Sequence, residues 1–222
     1  MQKVLLIWKR MKHQTFPSNL ADVPLKFQPV IEHSLDQLLQ QGIRNFTVEK
    51  ICSDLRISKK TIYKYFPSRE KFIEALLLFK FDQLFSAVDD IEENPAEPLQ
   101  YIVRVLQEIL NQVGMNAPQF IMDVKMYYSR VWSEIESFRE TVIGRFKQCV
   151  IRGRDLGLVR KDLDIDFALD MLLKIVQYVF QPETFMHSSY SIGTMIMKFA
   201  DIFMNGIMDT GQNFDTSFLG KE

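Results

Sequence analysis

Within six consecutive residues, Lys59, Lys60, Thr61, Tyr63 and Lys64 supply three ammonium groups and two hydroxyls. Ammonium groups neutralise phosphates, and Thr and Tyr hydroxyls donate to phosphate oxygens or base edges, so this is the chemistry of a nucleic-acid contact. Lys59 or Lys64 taken alone reads better as a solvated surface residue. The decisive question is whether the neighbouring chain can present all of them on one face.

It can. Val48, Ile51, Cys52 and Leu55 recur at i, i+3, i+4 and i+7, the buried face of a helix that Thr47 can N-cap. Arg56 and Ile57 make a turn. Ser58 can cap a second helix that buries Ile62 and Phe66 and stops at Pro67, leaving the lysines, Thr61 and Tyr63 outside. Two short helices joined this way form a helix-turn-helix, in which the front of the second helix enters the major groove. A supporting helix precedes them. Pro29 fits its first turn, its inner stripe is Ile31, Ser34, Leu35, Leu38 and Leu39, and Gly42 ends it. Behind the motif, Ser68 can cap a helix from Arg69 to Ile91, with Phe72, Leu76, Phe79 and Leu84 inward and Ala75 and Val88 alongside.

The string from Thr47 to Phe66 resembles the DNA-binding signature of the TetR/AcrR family of transcriptional regulators. Members typically carry a helix-ending Gly, a Thr shortly after, an Ile-Ala pair, and a run close to Val-Ser-Lys-Gly-Thr-Leu-Tyr-His-Tyr-Phe-Pro-Ser-Lys-Glu. Here those places hold Gly42, Thr47, Ile51-Cys52 and the run from Ile57 through Pro67-Ser68-Arg69 to Glu70. Two positions depart from the pattern: Arg56 and Lys60 each stand where the family usually has Gly. The resemblance implies DNA contact through Thr47, Ser58, Lys59, Lys60, Thr61, Tyr63, Lys64, Tyr65 and Lys71. Lys59, Lys60 and Thr61 are the expected base readers; Thr47, Tyr63, Lys64, Tyr65 and Lys71 are the expected phosphate contacts.

Charge is distributed accordingly. The chain's net charge is -1, yet residues 1–80 carry 14 Lys and Arg against 7 Asp and Glu, or +7, while residues 81–222 carry 13 against 21, or -8. A polyanion is therefore expected to be met at one end only. With 47% hydrophobic and 25% charged residues the composition is that of an ordinary globular protein. Cys52 and Cys149 are the only cysteines, so no disulfide framework is expected and a cytoplasmic location is. The apolar run Val4 to Trp8 is too short for a signal core, and no later run reaches membrane length.

Further along, Glu92 to Glu97 reads as a loop, Leu99 to Val113 as a helix ended by Gly114 to Pro118, Gln119 to about Arg130 as a helix apolar around most of its circumference, and Trp132 to Gly157 as a long helix. Asp166 can cap a helix containing Met171 and Val179 that stops at Pro182, and Tyr190 to Met208 forms the last one. These last two are too apolar for lone surface helices. They fit a four-helix homodimer interface with the same pair of a second copy, the alternative being a larger monomeric core. The resemblance implies an effector cavity among the central helices, with Phe120, Tyr127, Trp132, Phe146, Met171 and Tyr178 as candidate lining. No buried charge stands out by spacing, which favours an apolar or amphipathic effector.

Catalytic constellations are not evident. His13, His33 and His187 lie far apart with no metal-ligand spacing, and no phosphate loop, dinucleotide fingerprint or nucleophile elbow occurs, so no metal, cofactor or enzymatic activity is expected. Asp162, Asp164 and Asp166 at a helix start read as capping groups. The expected fold is all-α: a mobile arm over 1–25, a three-helix DNA-binding domain over 26–71 and a helical effector-binding and dimerisation domain over 72–222. The arm's Lys3, Lys9, Arg10 and Lys12 can extend the DNA contact or form a solvated tail. The expected function is a sequence-specific regulator, of the ligand-responsive repressor type, acting on a palindromic operator. An all-α small-molecule binder or adaptor that kept the scaffold without DNA recognition is the alternative.

Overall fold

The computed structural model describes residues 23–113, 118–179, 184 and 189–209. The expected arm up to residue 22, the helix stop at Pro182 and the tail from Gly211 lie outside the described residues. Among the described residues every regular element is helical: a 3-10 turn at Leu25–Phe27, then α1 (Gln28–Asn45), α2 (Val48–Leu55), α3 (Lys59–Tyr63), α4 (Arg69–Asp89), α5 (Pro98–Val113), α6 (Pro118–Tyr127), α7 (Ser129–Asp155), α8 (Ile165–Val179) and α9 (Ile192–Ile207). The chain divides into two compact units, one of Met1–Ser86 with Tyr127–Val131, the other of Ala87–Met126 with Trp132–Glu222. The first unit thus continues beyond the expected limit of 71. The reason is that Phe72, Ile73, Ala75, Leu76, Leu77, Leu78 and Phe79 are all buried, more of α4's circumference than one stripe allows.

In the first unit, α1 supports α2, and α2 packs on α3. Ile31, Ser34, Leu35 and Leu38 are buried as expected, with Val30 added at the helix start. An aromatic chain closes the core: Phe66 lies 4.9 Å from Phe72, Phe46 lies 5.9 Å from Phe72, and Phe27 reaches both Tyr65 at 5.1 Å and Phe66 at 6.5 Å, ring centre to ring centre. Burying one such ring is worth about 1.5–3 kcal/mol, with a further ~0.5–1.5 kcal/mol for a well-placed aromatic pair. Gly42 does not simply end α1. It sits at φ 78° and ψ 164° inside the helical span, with further helical residues after it, so it kinks the helix in a conformation open only to glycine. The third helix is also shorter than expected. It ends at Tyr63, and Tyr65 and Phe66 both donate to the Ile62 carbonyl from a tight turn, which buries Phe66 without the helix reaching Pro67.

The turn between α2 and α3 is built on Arg56, at φ 52° and ψ 42° the one non-glycine residue with positive φ among those described. Ile57 N–H donates to the Cys52 carbonyl at 3.0 Å and Arg56 N–H to the Ser53 carbonyl at 3.4 Å, the paired bonds of a Schellman cap. The same cap closes α7 with a glycine: Gly157 has φ 74°, Leu158 N–H donates to Gly153 and Gly157 N–H to Arg154. A left-handed residue with a side chain costs roughly 1–2 kcal/mol. Arg56→Gly is therefore expected to raise the stability of the first unit by about 1 kcal/mol, and urea titration checks this.

In the second unit, α8 packs against α9. Leu163, Ile165, Leu169 and Leu172 face inward from one side, and Ala200, Met204 and Ile207 from the other. An isolated antiparallel bridge, Val159 with Met208, ties the segment after α7 to the end of α9. Gly153 is closely packed: an added Cβ would stand 3.1 Å from Val159 Cγ2 and 3.2 Å from Leu99 Cδ2, so those side chains would have to give by a few tenths of an ångström. Three expectations for this unit are corrected. Asp164, not Asp166, caps α8 by accepting from the Phe167 N–H at 3.0 Å, and Asp166 instead pairs with Lys147. The break between α6 and α7 falls at Tyr128, with α7 starting at Ser129 rather than Trp132; no Gly or Pro marks it, so periodicity runs straight through. Finally, α6 is not enclosed all round, for Val124 and Tyr128 beyond its end are buried while Met126 and Tyr127 are exposed.

Candidate nucleic-acid interface

Thr47 occupies the N-cap of α2 with extended backbone, but its side chain makes no capping bond and is exposed. The expected side-chain capping bond is thus not made, and the residue is open to solvent. Ser58 does cap α3: its Oγ accepts from the Thr61 N–H at 3.2 Å and lies 2.9 Å from the Thr61 hydroxyl. Ser58 therefore sets the rotamer of Thr61 as well as the helix start. Lys60, Thr61, Tyr63 and Lys64 are all exposed, so the front of α3 carries the cationic and hydroxylated face that spacing required.

Not every expected contact residue is equally available. Lys59 forms an ion pair with Glu49 from the first turn of α2. Their mutual hydrogen bond holds the Glu49 carboxyl below the usual range and the Lys59 ammonium above it. The Lys64 ammonium stands 5.4 Å from the centre of the Tyr65 ring, which itself packs on Phe27. Tyr65 is accordingly half-buried and structural on one side. Lys71 pairs with Glu74 at 2.6 Å, and its N–H donates to Ser68 Oγ at 3.2 Å, confirming Ser68 as the cap of α4.

Two features that carry this surface left little trace in sequence. Arg69 donates from Nε to the Phe46 carbonyl at 2.9 Å and from a second guanidinium nitrogen to the Ile43 carbonyl, so one side chain of α4 grips the end of α1. His33 on α1 stands 3.1 Å from a carboxylate oxygen of Asp54 on α2. Both join residues more than twenty positions apart, beyond the reach of local spacing. Conversely, the Glu49–Lys59 pair lies within the motif and could have been suspected from its charges.

Residues 30–76 match the sequence profile of the bacterial regulatory proteins of the TetR family, a span that covers α2, α3, the turn between them and most of α1. The HTH-type transcriptional repressor DhaR of Mycobacterium sp. (strain GP1) is 25% identical over 158 residues, covering 69% of this chain and 79% of its own length. The DNA-binding region of the chain, residues 30–76, is of the TetR type. Solved structures share the fold of this regulator: regulatory protein TetR from Rhodobacter sphaeroides, at TM-score 0.56 and 16% identity, covers 83% of the chain and all of its own. The ketosteroid transcriptional regulator KstR2 of Mycobacterium tuberculosis, at TM-score 0.51 and 18% identity, covers 85% of the chain and 97% of its own. The regulator is a DNA-binding transcription factor with a helix-turn-helix in its first unit.

The six effector candidates are placed differently. Trp132 and Phe146 are buried on α7, and Phe120 is half-buried on α6. Tyr127 and Tyr178 are 63% and 65% exposed, while Met171 lines an open groove along α8 and α9. Spacing singled out no buried charge, yet Asp82, Asp123 and Arg139 are buried among the described residues. Burial pushes the Arg139 guanidinium down to about 10, against the opposing pull of Glu136, and its cation lies 5.0 Å from the Trp132 ring centre. Single ionisable residues on otherwise apolar helix faces give no periodic signal, which is why spacing missed them. No described helix is long and apolar enough to cross a membrane, and no described group of acidic, His and Cys side chains could hold a metal.

Proposed function

We propose that the regulator is a homodimeric repressor that reads a palindromic operator through α3 of each protomer and releases it on binding a small amphipathic effector. The capped, exposed face of Lys60, Thr61, Tyr63 and Lys64 carries this reading. Residues 26–71 serve as the DNA-binding domain and the remaining helices as the effector-binding and dimerising part. Thr61, Lys59 and Lys60 read base edges; Thr47, Tyr63, Lys64, Tyr65 and Lys71 hold phosphates, with Ser58 positioning Thr61. Repression as the direction of control is supported by the likeness to the transcriptional repressor DhaR.

Dimerisation through α8 and α9 is supported by apolar side chains left uncovered there: Phe167 and Ile202 are 63% and 68% exposed, and Ile175, Phe199 and Phe203 border the same groove. Exposed apolar area of this kind marks association. The dimer must present its two α3 helices about 34–36 Å apart, one turn of DNA. An effector that prefers the splayed arrangement lowers operator affinity tenfold for about 1.4 kcal/mol of coupling, well inside the usual range.

Selection of bound duplexes from a random pool, repeated with candidate effectors, tests the whole reading; a symmetric enriched motif is expected, and an unenriched pool would sink it. On the enriched duplex, Lys64→Ala is expected to weaken binding to all sequences and to flatten the salt dependence by about 0.9 per protomer. Thr61→Ala is expected to relax base preference at about 1–3 kcal/mol per site. Equal losses on enriched and random duplexes for both variants would overturn the assignment of roles.

A further inference from the structure

We infer that Glu49 is a positioning residue for Lys59 at the DNA surface, a carboxylate that lowers affinity for arbitrary DNA and thereby sharpens the choice of operator. This rests on the reading of α3 as the recognition helix. Glu49 lies in the first turn of α2 and Lys59 at the first position of α3, and their ion pair spans the two helices beside the N-cap of the recognition helix. The side chains are 61% and 52% exposed. A pair so open to solvent contributes little to holding α2 on α3. What it does do is fix the position of one ammonium among three: Lys60 and Lys64 have no carboxylate partner among the described residues. The mutual shifts of Glu49 and Lys59, down and up, come first from the hydrogen bond between them, and Arg69 and Tyr63 act only as weaker charges nearby.

The consequence follows from how the two kinds of DNA complex are held. Non-specific binding is almost wholly electrostatic, so an untethered lysine adds one phosphate contact on any sequence. Tethered by Glu49, Lys59 must share its charge with the carboxylate and gives up part of its contact with phosphate. A non-operator complex bears that loss uncompensated. An operator complex recovers it when the held ammonium meets base acceptors, such as the O6 and N7 of guanine, without first being ordered.

The experiment uses the full chain and two probes: a random-sequence duplex of about 30 base pairs, and the duplex enriched by selection, each titrated by fluorescence anisotropy over about 50–300 mM salt. Glu49→Gln keeps the side chain's size and a hydrogen-bonding oxygen. It is expected to tighten random-duplex binding about 3- to 10-fold, to steepen its salt slope by about 0.9 per protomer, and to leave the enriched duplex less improved, so that their ratio falls. In a Lys59→Gln background the same change is expected to do nothing, since the effect runs through Lys59. An unchanged salt slope, equal tightening on both probes, or an effect that persists without Lys59 overturns the inference. Lys64→Ala separates the two levels. If it too leaves both probes unaffected, the assignment of α3 to DNA has failed; if it weakens both while Glu49→Gln changes neither, only the role of Glu49 has.

Discussion

Ile202→Glu is expected to convert the regulator into monomers and to weaken operator binding by about two to four orders of magnitude. Ile202 on α9 is the most exposed of the large apolar side chains described, and it borders the groove with Phe167 and Phe199. Covering an Ile or Phe fully is worth about 1.5–3 kcal/mol, and a two-fold interface counts each position twice. Glutamate in the same place forfeits that burial and must also be dehydrated in each protomer, several kcal/mol in all. The DNA loss is indirect. A linked second recognition helix acts at millimolar effective concentration, and a monomer has none. Sedimentation velocity with anisotropy titration checks both halves. A variant that stays dimeric and keeps its operator affinity would place the interface elsewhere. Because Ile202 is exposed, the variant protomer should keep its circular dichroism spectrum, which separates dissociation from unfolding.

Arg69→Ala is expected to destabilise the first unit by about 2–4 kcal/mol and to lower operator affinity in step. Arg69 uses two guanidinium nitrogens on the carbonyls of Ile43 and Phe46, both at the end of α1 beyond the Gly42 kink. Each hydrogen bond from a charged donor is worth about 1.5–3 kcal/mol, and the abandoned Phe46 carbonyl lies beside a buried ring. Arg69→Lys should recover less than half, because an ammonium is a point donor and cannot span two carbonyls in a fixed fork. Thermal melts followed by circular dichroism read the difference, at about 4–8 °C per kcal/mol for a unit of this size. If Lys rescues fully, charge near α1 rather than the fork is what matters.

The helix-turn-helix was legible because its signals are local. Periodic Val48 and Ile51, the Ser58 cap and the cluster from Lys59 to Lys64 each act within a few residues, and each agrees with the others. Where agreement failed, local spacing did not decide the outcome. Thr47 takes the cap position without a side-chain bond. The end of α3 at Tyr63 goes with a Phe66 ring seated on Phe72. On α6, residues of one apolar run divide between buried Val124 and exposed Tyr127, and no spacing rule separates them.

Sequence by itself determined the all-α class, the recognition motif and its family, and the opposite charges of the two ends, since caps, periods and composition are short-range properties. It also marked Arg56 as the odd residue of the turn, and the structure shows why, a left-handed backbone that glycine would adopt without strain. Only the tertiary structure decided that Arg69 clasps α1, that Glu49 claims Lys59, that Asp123 and Arg139 are buried, and which apolar faces of α8 and α9 stay open. Those outcomes depend on which helix lies against which, and a side chain's partner across helices is set by packing of the whole chain rather than by its neighbours in sequence.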